Sequence, residues 1–182
     1  MKSLKVLTIA ASAWMGGALG AEALTLTSPD FEPGGKIAAE QLGNCNGGHG
    51  GNLSPALEWS DAPKNTKSFA LTLYDPDAPT GSGLWHWVVI DIPADAASLA
   101  KGAGDPKRAV APKQALQPKS DIMPGYMGPC PPPGAEHHYV FTLYALDADK
   151  VDADANTSPA LIGFFLHYHA LAKATLTATY SH

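Results

Sequence analysis

Half of the chain's 16 prolines fall within residues 101–136, a 36-residue stretch with little hydrophobic periodicity. Proline fixes φ and removes a backbone donor, so this stretch suits neither a helix interior nor a central strand. A second irregular stretch, residues 43–52, is half glycine, which admits positive φ and lets backbone approach closely. Non-periodic segments this long inside a compact domain are usually functional or disordered. Disorder needs low hydrophobicity and high charge, whereas this chain is 45% apolar and only 16% charged. A sequence so interrupted predicts short β segments joined by ordered loops, not a helix bundle.

The periodic segments agree. Leu24–Ser28 alternates as a short strand. Phe69–Tyr74 alternates with Phe69, Leu71 and Leu73 on one face, and Pro76 and Pro79 stop it. After the turn Thr80-Gly81-Ser82-Gly83, a strand from Leu84 to about Ile92 completes a hairpin. His137–Leu146 reads as a further strand. Ser158-Pro159 marks a helix start, a hydroxyl N-cap followed by proline in the first turn. The helix is expected over Ala160–Lys173, with Phe164 and Phe165 as core residues, followed by a last strand at Thr175–Tyr180. There is no internal repeat. The 182 residues fit one mainly β domain.

The N-terminus has the order of a secretory signal. Lys2 and Lys5 precede 16 uncharged residues, 6–21, and small residues follow at Gly16-Gly17-Ala18-Leu19-Gly20-Ala21-Glu22-Ala23. Residues 1–23 are read as a signal peptide, cleaved after about residue 20–23, and 24–182 as the mature domain. The uncharged run falls short of the ~20 apolar residues of a membrane span. A periplasmic or secreted protein is expected, with no integral membrane segment in the mature chain. Export makes a disulfide between the two cysteines, Cys45 and Cys130, the expectation. It would close a loop of about 86 residues, worth nominally ~4–5 kcal/mol in the chain-entropy picture. Lys+Arg 12 against Asp+Glu 17, with no basic run, argues against nucleic acid as partner.

Motifs for nucleophile elbows, phosphate loops, dinucleotide folds and zincins are absent, so neither an enzyme nor a cofactor is indicated. Ser82, the hydroxyl nearest the candidate residues, sits in a glycine turn with nothing to activate it. His137 and His138 point to opposite faces of a strand, and Cys45 and Cys130 are too far apart in sequence for a zinc ligand pair, so no metal site is read. What remains is a set of polar residues on separate segments. Asp75 and Asp77 lie at a strand end, His86 sits between Trp85 and Trp87, and His137 and Tyr139 share one strand face. Gly128 precedes that strand. Two imidazoles, a phenol and a glycine N–H are the parts of an oxyanion pocket. Singly, Asp75 also fits a turn former, His86 a satisfied core histidine and Tyr139 a half-buried strand residue. Periodicity does not bring the segments together.

Ordered motifs do. Asn52-Leu53-Ser54-Pro55-Ala56-Leu57-Glu58-Trp59, Tyr74-Asp75-Pro76-Asp77-Ala78-Pro79, Gly83-Leu84-Trp85-His86-Trp87, Gly128-Pro129-Cys130-Pro131-Pro132 and His137-His138-Tyr139-Val140-Phe141 resemble the phosphatidylethanolamine-binding protein family. They are closest to its bacterial, Raf-kinase-inhibitor-like branch. The resemblance implies a large antiparallel sheet packed with a smaller one and a C-terminal helix. It also implies a ligand pocket of Asp75, His86, Gly128, His137 and Tyr139, with Asp77, Pro129 and Pro131 shaping its wall. In that pocket His86, His137 and Tyr139 would donate to a phosphate head group or another small anion, and the Gly128 N–H would complete the cradle. The alternative implied role is an inhibitor that reads a phosphorylated or acidic segment of a kinase or protease. The segment Lys119–Met127 departs from its surroundings and leaves the pocket rim undefined.

Overall fold

The computed structural model describes residues 23–44 and 50–182. Alternating β-branched and apolar residues form two antiparallel sheets. The larger has the order β4-β3-β6-β7, with β3 at Ser68–Asp75, β4 at Leu84–Pro93, β6 at His137–Leu146 and β7 at Ala170–Tyr180. The smaller has the order β1-β2-β5, with β1 at Thr25–Thr27, β2 at Leu57–Ser60 and β5 at Ser98–Leu99. β3 and β4 form the expected hairpin.

The sheets meet over an apolar core. Phe69, Leu71 and Leu73 from β3, together with Phe141 and Leu143 from β6, pack against Leu26, Leu57, Trp59 and Leu99 of the smaller sheet. Trp59 and Phe69 stack with centroids 5.5 Å apart. Full burial of such side chains contributes roughly 1.5–3 kcal/mol each. The other face of the large sheet is covered as well. Ala70, Val88, Ile90 and Leu146 contact Ile162 and Leu166 of the helix α1, Pro159–His169. Coverage on both sides explains why β3 is buried at nearly every position.

Two expectations are corrected here. The helix ends at His169, and the chain passes directly into β7 at Ala170 instead of remaining helical to Lys173. Ala170, Ala172 and Lys173 have good helix propensity, but their registers opposite Leu146, Ala145 and Tyr144 of β6 give them sheet partners. Phe165 packs on the second core cluster as expected, whereas Phe164 is 54% exposed, against Tyr168 on the same helix face. The strands β2 and β5 were not distinguished in the sequence, being too short to show a period.

Segment 101–136 is ordered, and it is pinned along β4. Ile90 and Leu116 exchange backbone hydrogen bonds, the Met127 N–H donates to the His86 carbonyl, and the Trp85 N–H donates to the Asp121 carboxylate. The long proline-rich stretch is therefore a wall beside the open end of the hairpin.

Candidate ligand-binding pocket

At that end lies a cavity of about 560 Å³, within the range of small-molecule sites. Its floor comes from three strands. Asp75 ends β3, and its carboxylate is 2% exposed. It accepts from His137 Nδ1 at 2.7 Å and from the Asp77 N–H at 2.9 Å. A buried carboxylate needs such partners to offset the loss of water.

His86 is placed by an irregularity in β4. Leu73 faces Trp87, but the next β3 residue, Tyr74, faces Trp85, so β4 carries one residue more than β3 at this point. The bulge releases His86 from strict alternation. Its ring lies edge-on to Tyr139 at 5.3 Å, and Nε2 is 4.0 Å from Asp75 Oδ2. Nδ1 donates to the Met127 carbonyl at 2.8 Å. His137 and Tyr139 share one face of β6, as the strand period requires, with rings stacked at 6.5 Å.

Two buried polar atoms of this floor have no hydrogen-bond partner, His86 Nε2 and the Tyr139 hydroxyl. Buried polar atoms are rarely left so, and each such atom calls for an explanation. Burial pushes the His86 pKa down, against the opposing influence of the Met127 carbonyl and Asp75. Burial first, then Asp75 and Asp77, pushes the Tyr139 phenol well above its usual range. Both shifts favour the uncharged forms, the neutral imidazole and the protonated phenol.

The mouth is loop-built and mainly apolar, with Ala78, Pro79, Leu84, Ile122, Met123 and Pro131 around it. Ile122 and Met123 belong to the segment whose role was undefined in the sequence, and both are exposed at the rim. Among the described residues lining the cavity there is no Lys or Arg, and Asp75 is the one carboxylate.

Most of the expected residues converge. Asp75, His86, Gly128, Pro131, His137 and Tyr139 all line the cavity, with Cys130 beside them. Three assignments change. The Gly128 N–H does not complete an anion cradle, because it donates to Asn52 Oδ1 at 2.7 Å. Glycine is needed there for contact instead: a Cβ would lie 2.2 Å from the Gln41 carbonyl oxygen. Asp77 and Pro129 stand behind the wall. Asp77 accepts from the N–H and Nδ1 of His138 on the exposed flank, which holds its carboxyl below the usual range. Pro129 is buried, and its carbonyl accepts from Gly43 N–H. Finally, neither histidine offers a neutral N–H to a ligand. A carbonyl and a carboxylate only accept, so both Nδ1 atoms carry protons, and a ring that is neutral then has only a lone pair at Nε2.

Asn52 was missed as a site residue, although it opens one of the motifs. It adopts φ 47°, a region asparagine tolerates, and bridges Gly128 to the Tyr126 carbonyl. Tyr126 in turn donates to the Gln41 carbonyl at 2.9 Å. Segment 126–128 is thereby tied to Gln41 and Asn52, on either side of the glycine-rich stretch. Cys45 and the signal segment lie outside the described residues, and the expected Cys45–Cys130 bond lies outside them too; among the described residues there is no free cysteine. No described helix is long and apolar enough to cross a membrane. Among the described residues no group of three or more His, Cys, Asp or Glu side chains could hold a metal ion.

Two packed antiparallel sheets, with a cavity at the strand ends beneath a loop-built mouth, define a mainly β fold with a candidate ligand pocket. The chain belongs to the phosphatidylethanolamine-binding protein family, whose sequence profile matches residues 27–181. It is 46% identical over 158 residues to the UPF0098 protein YbhB of Escherichia coli, covering 87% of this chain and all of that one. It is 41% identical over 182 residues to the E. coli UPF0098 protein YbcL, covering 99% of this chain and 98% of that one. The crystal structure of YbcL, described as a new member of the mammalian PEBP family, superposes with a TM-score of 0.85, covering 88% of this chain and 99% of that chain. A Chlamydia trachomatis homologue, CT736, matches at 31% identity and a TM-score of 0.74, covering 88% and 98%.

Proposed function

We propose that this protein is an exported, non-enzymatic binding protein for small oxyanions, its ligand being a phosphate head group of the phosphoethanolamine type or a carboxylate in the same place. One observation carries the reading: the buried, unpartnered His86 Nε2 and Tyr139 hydroxyl at the floor of a 560 Å³ cavity. A ligand oxygen between them would accept from the Tyr139 O–H and would meet His86 Nε2 through a proton carried by one of the two. His137, locked by Asp75, stands beside them. The apolar mouth suits the organic part of a phosphate ester. A protein partner presenting a phosphorylated side chain would meet the same floor.

Calorimetry with phosphoethanolamine tests this on the wild type and on His86→Ala and His137→Ala. Loss of either side chain is expected to weaken binding by about 0.5–1.5 kcal/mol for a neutral contact, and about 1.5–3 kcal/mol for a charge-assisted one. Binding equal to wild type in both variants would sink the assignment.

A further inference from the structure

We infer that the pocket takes up its oxyanion together with a proton, because both floor imidazoles have their Nδ1–H groups committed elsewhere and, in their neutral form, have lone pairs rather than donors left for the ligand. This rests on the oxyanion reading above and adds the chemical form in which the ligand is held.

The geometry leaves little choice. His86 Nδ1–H is fixed by the Met127 carbonyl, and His137 Nδ1–H by Asp75. In a neutral imidazole the second nitrogen is then an acceptor. An oxyanion set against two acceptors and a carboxylate meets one favourable group, the Tyr139 O–H. Nothing described in the cavity lining supplies positive charge. The groups around His86 are Asp75 on β3, His137 and Tyr139 on β6, and Asp121 on the rim segment. Asp77 and His138 flank His137 from outside. Among these the carboxylates favour a proton, and neighbouring imidazoles discourage more than one.

A single proton resolves the conflict. Placed on His86 or His137 Nε2, it creates one cationic imidazolium donor with Asp75 as counter-charge. Placed on the ligand, it makes a hydrogen phosphate whose O–H donates to Nε2 while its other oxygens accept from Tyr139. Both descriptions contain the same atoms and the same net charge. Burial, which pushes the His86 pKa down, disfavours a proton on that ring until an anion lies against it, in keeping with uptake on binding.

The test is calorimetry at about pH 8 in two buffers of different ionisation heat. Probes are phosphoethanolamine, inorganic phosphate and sulfate. Close to one proton taken up per phosphoethanolamine is expected, with its affinity rising about tenfold from pH 8 to pH 7 by linkage. Sulfate cannot be protonated in this range, so uptake with sulfate places the proton on the protein. Uptake with the phosphates alone places it on the ligand. Phosphoethanolamine binding more tightly than inorganic phosphate marks a head group as the source. His86→Gln and His137→Gln should lower uptake from sulfate in whichever variant has lost the carrier; unchanged uptake in both moves the proton to Asp75 and overturns the imidazole assignment. Saturable binding with no uptake overturns the proton coupling but leaves the oxyanion reading intact. Absence of binding by all three probes at both pH values removes that reading itself.

Discussion

Burial acts on His86 and Tyr139 in opposite directions and leaves both neutral. A folded-state pKa below the usual ~6.5 means the native protein binds fewer protons than the unfolded chain. The stability contributed by neutral His86 is therefore complete above that pH and declines as pH falls through ~6.5 towards the lowered value. Urea denaturation between about pH 7.5 and pH 5.5 should show a smaller acid loss for His86→Gln than for wild type. Equal losses would mean that His86 binds its proton as readily in the native protein as in the unfolded chain. Proton-coupled uptake of an oxyanion predicts the opposite slope, with acid weakening the free protein and strengthening its complex. The sequence contained the side-chain types of this site and, through ordered motifs, their grouping. It did not contain the ring tautomers. Those depend on the Met127 carbonyl, which comes from a segment with no period to read, and on Asp75, which lies 62 residues from His137.

Among the elements, strands were the most legible. β6 has the ends that alternation assigns it, because one face carries His137, Tyr139, Phe141 and Leu143 inward. α1 was legible at one end only. Ser158 caps it, accepting from the Leu161 N–H at 3.3 Å, and Pro159 follows. Its C-terminus has no glycine or proline stop; Ala170 is simply extended, because β6 offers it a ladder. Ser158→Ala should lower stability by about 1 kcal/mol, read as a shift in the denaturation midpoint at constant slope. No shift would mean that packing of Ile162 and Leu166 alone holds the first turn. The bulge in β4 was invisible beforehand. Trp85-His86-Trp87 reads as plain alternation, and only the register against β3 shows the additional residue.

At the scale of the molecule, export and the Cys45–Cys130 bond belong together, since oxidising compartments are where such bonds persist. Intact-mass measurement on protein from its native host checks both at once. The expected mass corresponds to a chain starting between Ala21 and Leu24 and lighter by two hydrogens than the dithiol form. A full-length reduced chain would refute both. The long proline-rich stretch announced itself as important, yet its function as a wall emerges only when it is laid along β4. The β4 bulge also bears on how such a protein can change. A replacement alters one side chain and can be reversed by another. An extra residue in one strand is a matter of chain length, and only a deletion removes it. Losing one residue there would restore regular alternation and turn His86 away from Asp75, with every remaining letter of the strand intact. Part of the recognition chemistry is thus stored as a count, in a register that amino-acid replacement leaves untouched.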